Sequence, residues 1–381
     1  MAETLKQNHY LDYNASAPLR PSVVKAMNEA MSLVGNPSSV HRHGREIRKN
    51  LSAARHIISS AVGAGSSKVV FTSGGTESNN LALHGSKNLT ALVSAIEHDS
   101  VLVAAKNAIL IPVDASGIVD LVKLETILSQ QATPALVSVM LANNETGVIQ
   151  PLREVSAIAH KYHSVVHCDA VQALGKLELN MDLLNVDLLT LSPHKAGGPK
   201  GIGALIISDG LDLDPQLVGG GQEFSLRAGT ENFVSVTGFA ATCAEVRNNN
   251  QEMERILNMR HQLEDKLKQA VPDVQIHGCQ SPRLINTTCV RMQGLAAETQ
   301  VIAMDLAGVS VSAGSACSSG KVATSHVLKA MGLSSKVANQ TIRMSIGWAT
   351  TEADIEHAAG TWIGLQEKAQ PTELLQEQPT E

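Results

Sequence analysis

The sequence predicts an α/β fold with a mostly parallel central sheet, and two observations carry that prediction. Short apolar runs alternate with helical patterns as far as residue 208, which is typical of consecutive βαβ units. Nearly every apolar run is followed directly by polar residues. Because the carboxyl ends of parallel strands meet at one edge of a sheet, those polar residues should line one crevice.

Composition narrows the class of protein. Of the 381 residues, 43% are hydrophobic and 2% aromatic, so the cores must be built mainly from aliphatic side chains. A net charge of −6 leaves no basic footprint for nucleic acid. No apolar run approaches the ~20 residues that span a bilayer, and the first residues lack the apolar core of a secretory signal. Five cysteines without a CxxC pair indicate reduced thiols. We therefore expect a cytoplasmic protein without a membrane segment.

Two helical patterns precede the first strand. Pro21 suits a first helical position, and apolar residues recur at helical spacing from there to Val34. A second pattern runs from Ile47 to Ile58 and closes near Gly63. The sequence therefore predicts two helices ahead of the sheet.

The first strand leads into a glycine turn. Residues 68–72 are apolar, and Ser73, Gly74, Gly75 and Thr76 follow where a helix starts. The free amides and positive dipole end of such a helix suit a phosphate group. Serine and threonine also favour plain helix caps, so the turn alone does not decide between the two interpretations.

Further strands alternate with helices and end in polar side chains. They are predicted at residues 91–96, 136–141, 164–168, 187–191 and 204–208, with a helix over 152–162. The polar residues that follow them are His98, Asn144, Asp169, Gln172, Ser192, His194 and Lys195. His167, inside a strand, is interpreted as structural. The spacing of His41, His43, His160 and His163 makes no metal site with the cysteines, so surface positions and no metal are expected.

The chain is organised around the stretch 187–203. It begins as an apolar run, breaks into Ser192, Pro193, His194 and Lys195, and continues with four glycines and a proline among eight residues. A lysine just past the end of a buried strand lies where α/β sheets bind ligands. When it is desolvated, its pKa falls and it can form a Schiff base. The alternative is a solvated lysine in a turn.

The polar residues together match the needs of pyridoxal phosphate. That cofactor requires a lysine for its aldehyde, an acid beside its ring nitrogen and a cradle for its phosphate. Lys195 and Asp169 meet the first two needs. The phosphate cradle would be formed by Gly75, Thr76, Ser192 and His194, while His98 would stack on the ring or shuttle protons, and Asn144 and Gln172 would bond to the ring oxygen. Singly, Asp169 could be a structural cap and His98 a histidine with satisfied hydrogen bonds at a strand end.

Two residues of the last third carry further functional hypotheses. Cys317 lies in a run of small residues, 312–320, that behaves as a flexible loop, where a thiol can be a mobile nucleophile or an incidental cysteine. Arg343 lies in the apolar segment 341–347, where an unpaired cation would be costly. It could clamp a substrate carboxylate or form a buried salt bridge.

The C-terminal part predicts a smaller α+β domain. Strands are expected near 274–276 and 285–290, with helices over 237–271, over 298–307 and from Glu352, and a frayed tail from Gln366. We expect a large cofactor-binding domain over 16–250. Residues 1–15 and 251–381 would form the small domain that carries the Cys317 loop.

At this point the sequence closely resembles the cysteine desulfurases, a branch of the class V aminotransferase group with the fold-type-I pyridoxal phosphate architecture. The resemblance spans almost the whole chain. The stretches that carry it are YLDYNASAP (10–18), GNPSSVHRHG (35–44), FTSGGTESNN (71–80), NNETG (143–147), HCDAVQALGK (167–176), SPHKAGGPKGIG (192–203), LRAGTEN (226–232), SAGSACSSG (312–320) and RMSIG (343–347).

The resemblance implies that L-cysteine is converted to L-alanine, with the sulfur left as a persulfide on Cys317. It implies iron–sulfur cluster assembly or another sulfur-acceptor protein as the destination of the sulfur. Lys195 would hold the cofactor, Asp169 its ring nitrogen, and Arg343 the substrate carboxylate. The remaining roles that it implies are cofactor contacts by Gly75, Thr76, Asn144, Gln172, Ser192 and His194, ring stacking and acid–base work by His98, and a substrate contact by Asn144.

The resemblance also implies a homodimer, because Thr230 would reach the phosphate of the neighbouring subunit. The loop form SAGSAC is similar to the branch with a long mobile loop. Relatives have Ala-Thr-Thr-Pro where this chain has Ala15, Ser16, Ala17 and Pro18, so one hydroxyl at the entry to the substrate pocket is missing. Housekeeping and nitrogenase-linked branches share these motifs and are both open.

Two other functions stay open at this stage. An aminotransferase or β-lyase, such as kynureninase or selenocysteine lyase, would need Lys195 and Asp169 but not Cys317. A non-catalytic scaffold would keep the fold and bind only a partner protein. The presence of all three residues argues against the scaffold.

Overall fold

The computed structural model describes residues 8–86, 88–247, 249–316 and 322–369. Its strands in chain order are β1 (His9–Tyr10), β2 (Lys68–Thr72), β3 (Thr90–Ser94), β4 (Ile109–Ile111), β5 (Ala135–Ser138), β6 (Val165–Asp169), β7 (Leu188–Leu191), β8 (Gly203–Ile207), β9 (Ile276–His277), β10 (Thr287–Arg291), β11 (Val309–Ser310), β12 (Ser312–Ala313), β13 (Ser315–Ala316), β14 (Val322–Ala323) and β15 (Thr341–Ser345).

The helices belong to the same alternating pattern. In chain order they are α1 (Pro21–Met31), α2 (Arg42–Ala61), α3 (Gly75–Gly85), α4 (Asp99–Leu102), α5 (Leu121–Ser129), α6 (Leu152–Lys161), α7 (Met181–Leu184), α8 (Phe233–Val246), α9 (Asn250–Ala270), α10 (Ala297–Leu306), α11 (His326–Ala330), α12 (Ser335–Ala338) and α13 (Glu352–Ala369).

A seven-stranded sheet forms the centre of the molecule, in the order β2-β8-β7-β6-β5-β3-β4. The strands β7, β6, β5, β3 and β4 run parallel to one another. Strand β8 is antiparallel to both of its neighbours, β2 and β7. The predicted mostly parallel α/β fold is therefore confirmed. In the register of β6 and β7, Asp169 is paired with Thr190, so the polar ends of these strands lie side by side.

Both faces of the sheet are covered, which explains why its strands read as continuous apolar runs. One apolar cluster joins the sheet to α2, α5, α6 and α8 and includes the fully buried Ile58, Leu124 and Phe239. A second joins the other face to α3 and α4 and includes Leu81 and Val101. The sheet is thus a rigid platform, and its carboxyl edge is left for function.

A smaller antiparallel sheet, β12-β15-β10-β9, follows in the C-terminal part. Its apolar cluster combines Leu11 with residues between Ile256 and Trp362, and β1 pairs in parallel with β11. The N-terminal segment therefore packs with the C-terminal third. The domain limits at residues 15 and 250 stay a prediction.

Several element bounds differ from those predicted. Strand β5 ends at Ser138 rather than at residue 141, although the Val139 and Leu141 amides still donate to the His167 and Asp169 carbonyls of β6. The stretch 97–135, given no elements from sequence, contains α4, β4 and α5. The tail does not fray at Gln366: α13 continues to Ala369 and Gln366 is buried, because the helix packs against α9 and α10.

Candidate active site

A cavity of about 380 Å³ opens at the carboxyl ends of the parallel strands. Nine of the residues singled out from the sequence line it: Gly75, Thr76, His98, Asn144, Asp169, Gln172, His194, Lys195 and Arg343. Three do not appear in its lining. Ser192 is buried behind the wall, Thr230 is exposed elsewhere, and Cys317 lies outside the described residues.

Lys195 ends a short 3-10 turn, Pro193–Lys195, directly after β7. Burial lowers the pKa of its amine to about 8, although the nearby Asp169 carboxylate opposes that shift. The glycines after it permit close packing: a Cβ on Gly198 would lie 2.4 Å from the Pro193 Cβ. A lysine with this pKa has a sizeable neutral fraction near neutral pH and can react with an aldehyde.

Asp169 is the last residue of β6 and is only 6% exposed. Its Oδ1 accepts a hydrogen bond from the Val171 amide at 2.9 Å, and its Oδ2 accepts one from Asn79 Nδ2 at 2.7 Å. These bonds fix the direction of the carboxylate at the pocket wall.

His98 is the cap residue of α4 and reaches the pocket from the end of β3. Its Nδ1 accepts from the Ser100 amide at 3.1 Å and lies 2.8 Å from the Ser100 hydroxyl. Asn79 Nδ2 donates to that same hydroxyl at 2.8 Å. Because Nδ1 is an acceptor, the proton of the neutral ring lies on Nε2. Burial, assisted by the Lys195 charge, lowers the pKa of His98.

The N-terminus of α3 provides an anion site. The cap residue, Gly74, has no side chain to bind the first amides, and Gly75 and Thr76 line the pocket. A Cβ on Gly203 would lie 2.6 Å from the Gly74 backbone, so glycine is required for the strand to pack against this turn. The Ser192 hydroxyl donates to the Ile202 carbonyl at 3.1 Å. His194 lines the pocket, and burial lowers its pKa to about 4.

Arg343 is 5% exposed and holds two partners. Its Nη2 lies 2.6 Å from Asp12 Oδ1, and its Nη1 donates to the Asn144 carbonyl at 2.9 Å. The salt-bridge interpretation from sequence therefore holds in this structure. Its Nε is buried without a partner among the described residues. An unpaired buried donor in a ligand pocket suits an incoming carboxylate.

Sequence reasoning missed several residues that the pocket brings together: Asn14, Asn79, Ser100, Met140, Glu145, Ser312, Gly314 and His326. Asn79 could have been found, because it follows Gly75 by four residues on one helix face. Asn14 and Glu145 lie within stretches already quoted for the resemblance. Ser100 and His326 had no signal, since neither follows a predicted strand directly.

The buried Glu97 was also missed. It precedes His98, is fully buried, and accepts a hydrogen bond from the Met140 amide at 2.5 Å. Burial, and then the negative charge of Asp169, raises its pKa well above the usual range. Glu97 is therefore a neutral acid behind the pocket.

The residues present fit pyridoxal phosphate. The pocket combines a reactive amine, a fixed carboxylate and a helix N-terminus with uncapped amides. Asn79 Oδ1 and Arg343 Nε are buried polar atoms without partners in the described part of the chain. A pocket of this size can enclose a small phosphorylated ring. The fold and this donor set define the class of fold-type-I pyridoxal phosphate enzymes.

Comparisons with known proteins agree. A family profile for class V aminotransferases matches residues 9–357. The curated cysteine desulfurase IscS of Dictyoglomus turgidum is 39% identical over 379 residues, covering 96% of each chain, and cysteine desulfurase IscS 1 of Archaeoglobus fulgidus is 38% identical, covering 94% of this chain and 97% of its relative. A solved NifS-like protein from Rickettsia africae has 35% identity and a TM-score of 0.89, covering 95% of this chain and all of the neighbour. The chain belongs to the class V aminotransferase family and, within it, to the cysteine desulfurases.

Membrane-spanning helices and metal-binding clusters are both absent from the residues that the structure describes. None of their helices combines the length and the apolar character needed to cross a bilayer. No group of three or more His, Cys, Asp or Glu side chains among them could hold a metal ion.

Proposed function

We propose that the protein is a pyridoxal phosphate-dependent cysteine desulfurase that converts L-cysteine to L-alanine and keeps the sulfur as a persulfide on Cys317. The observation that carries this proposal is the meeting of Lys195 and Asp169, 26 residues apart in sequence, in one pocket at the ends of neighbouring strands. The nine lining residues that the sequence singled out support it.

The cofactor, when bound, supplies an aldehyde for amines and a ring that accepts electrons from the substrate carbon. Lys195 holds that aldehyde, since its lowered pKa provides a neutral amine. Asp169, whose carboxylate is held by Asn79 and the Val171 amide, would bind the ring nitrogen. The amides of Gly75 and Thr76 would bind the phosphate, and Ser192 and His194 would contribute to the same cradle.

Substrate recognition is the role of Arg343. Its Nε has no partner among the described residues, and its guanidinium faces the pocket. The Asp12 carboxylate and the Asn144 carbonyl hold the other nitrogens, so the side chain is positioned before substrate arrives. A carboxylate can then form a charge-assisted bond without reordering the arginine.

Protons are moved by Lys195 and His98. When its amine is free, Lys195 would act as the base for the α-proton of the substrate, because burial lowers the pKa of that amine to about 8. His98 acts through Nε2, because Ser100 occupies Nδ1. The ring stays neutral near pH 7, since burial lowers its pKa.

Sulfur transfer is assigned to Cys317. Its thiolate attacks the sulfur of the substrate, the carbon–sulfur bond breaks, and the electron pair returns to the substrate carbon, which is protonated to alanine. The enzyme thiol and cysteine thus give an enzyme persulfide and alanine, without any added oxidant. Gly314 lines the pocket three residues before Cys317, so the chain can place the thiol there.

We infer two kinds of protein partner. An iron–sulfur scaffold or another sulfur-acceptor protein would take the persulfide sulfur. A second copy of this chain would form a homodimer in which the exposed Thr230 reaches the neighbouring phosphate site. Several apolar side chains before Thr230 in the sequence are exposed, as expected for a surface that another chain covers: Leu217, Val218 and Phe224.

The test compares wild type with Cys317→Ser. Both should bind the cofactor and show its yellow absorbance, and borohydride should fix it to Lys195. Wild type should release alanine and, with a thiol reductant, sulfide from L-cysteine, while Cys317→Ser should release neither. Full turnover by Cys317→Ser would overturn the sulfur-transfer assignment and favour a lyase.

A further inference from the structure

A buried lysine behind the pocket, Lys176, has no role in the reaction described so far. It is 6% exposed and lies in the turn that follows β6, four residues after Gln172. Its Nζ donates to Gln172 Oε1 at 2.8 Å and to Asn14 Oδ1 at 3.0 Å. Both partners are amide oxygens. A lysine is thus buried against neutral acceptors, which is uncommon.

The charges around Lys176 disfavour its ammonium form. Burial lowers the pKa of its amine well below the usual value, and the cations Lys195 and Arg343 lower it further. A neutral amine still donates hydrogen bonds, so the contacts to Gln172 and Asn14 do not depend on a charge. Lys176 thus has a polar amine where burial of a charge is unfavourable, which indicates a role for its hydrogen bonds to Gln172 and Asn14.

The contacts of Gln172 fix its orientation. Its Oε1 accepts from Lys176, and its Nε2 donates to the Asn14 carbonyl at 3.0 Å. The Asn14 carbonyl can only accept, so a flipped Gln172 amide would set its oxygen against that carbonyl and would lose the hydrogen bond that Lys176 donates to Oε1. One N–H of Nε2 remains, and Gln172 lines the pocket. A second N–H of Gln172 is therefore available to a ligand in the pocket.

Asn14 is held just as firmly. Its Nδ2 donates to the Asn144 carbonyl at 3.1 Å and to Thr287 Oγ1 at 2.9 Å, and its Oδ1 also accepts from Asn286 Nδ2 at 3.0 Å. The acceptor end of Asn14 thus points toward Lys176. The network leaves Lys176 only a donor's role toward Asn14 and Gln172.

We propose that Lys176 is a positioning residue: its buried amine holds the Gln172 amide so that an N–H, and not the oxygen, faces the ring oxygen of the cofactor. This inference rests on the proposed function. A donated N–H stabilises negative charge on that oxygen. Without that hydrogen bond, the negative oxygen attracts the proton on the adjacent nitrogen more strongly, so the apparent pKa of the visible absorption band rises.

The test is a pH titration of the visible band in cofactor-loaded protein. Lys176→Met keeps the length of the side chain and removes the amine. We expect it to raise the apparent pKa of the band by about half a unit or more, the size of one modest hydrogen bond. Lys123→Met, at an exposed position, is the matched control and should titrate like wild type.

A double-mutant cycle separates positioning from a general effect of charge or packing. Gln172→Leu should raise the apparent pKa by itself, and adding Lys176→Met should change it no further, since Lys176 acts through Gln172. Additive shifts, or an unchanged pKa in Lys176→Met, would overturn the inference. If Lys176→Met does not fold, Lys176→Leu, which likewise has no donor, is titrated in its place: a rise supports the inference and an unchanged pKa contradicts it. A wild type without a visible band would instead refute the proposed function.

Discussion

Asn79 joins the acid of the pocket to its histidine. Its Nδ2 donates to Asp169 Oδ2 at 2.7 Å and to the Ser100 hydroxyl at 2.8 Å, and that hydroxyl lies 2.8 Å from His98 Nδ1. The Asn79 amide nitrogen can only donate, so the Ser100 hydroxyl accepts from Asn79 and donates its own hydrogen bond to His98 Nδ1. The direction of these hydrogen bonds therefore sets the tautomer of His98 as well as the orientation of Asp169.

Asn79→Ala should impair catalysis without emptying the pocket. The variant removes the two hydrogen bonds from Asn79 to Asp169 Oδ2 and to the Ser100 hydroxyl, so each side chain is held less firmly. We expect kcat to fall by about tenfold, with a smaller change in KM, because each net bond contributes modestly. Steady-state alanine release measures this. Asn80→Ala, on the neighbouring position of α3, is the control; equal losses in both variants would contradict the assignment.

Arg343→Lys should weaken substrate binding. Lysine keeps the charge but loses the rigid guanidinium, including the buried Nε that has no partner among the described residues. We expect KM for L-cysteine to rise by roughly tenfold or more, with the visible band unchanged. Arg291→Lys, on the same small sheet and bonded to Gln340, is the matched control. An unchanged KM for Arg343→Lys would contradict a role in substrate binding and would leave Arg343 only its structural ion pair with Asp12.

The reaction of cofactor-free protein with pyridoxal phosphate should depend on pH through Lys195. Only the neutral amine attacks an aldehyde, and burial lowers the pKa of this amine to about 8. The rate at which the yellow band returns should therefore rise with pH up to about 8 and then level off. A rate that keeps rising toward pH 10, as for an ordinary lysine, would show that Lys195 is not desolvated in this way.

His167 should make the fold sensitive to acid. It is fully buried between the Ser138 and Thr190 hydroxyls, and burial lowers its pKa to about 4. The unfolded chain binds the proton more readily, so this contribution to stability is complete above about pH 6.5 and declines as the pH falls toward 4. The loss amounts to about 3 kcal/mol from this group alone.

Urea unfolding at several pH values measures that effect. His167→Asn should lower stability at pH 7 and flatten the profile between pH 6.5 and 4. His163→Asn is the control, since His163 is exposed and its φ of 56° suits asparagine. An unaltered slope in His167→Asn would mean that other groups, such as His194 and His277, account for the acid sensitivity.

Much of this site could be predicted from sequence because each strand of a parallel sheet delivers its polar end to one edge. Lys195, Asp169 and His98 follow that rule, and all three line the pocket. Asn14 and Lys176 do not follow it: they reach the pocket wall through contacts between segments 162 residues apart. Such contacts depend on tertiary packing, which periodicity does not encode. The same limit applies to Arg343, whose partner Asp12 lies 331 residues away.

The most direct test of the account is a single turnover of the cofactor-loaded wild type with one equivalent of L-cysteine and no reductant. Alanine is quantified, and the peptide that contains Cys317 is weighed by mass spectrometry. The account predicts one alanine per subunit and the mass of one added sulfur on that peptide. Alanine formed with no sulfur on Cys317, or the sulfur found on another cysteine such as the exposed Cys279, would contradict it.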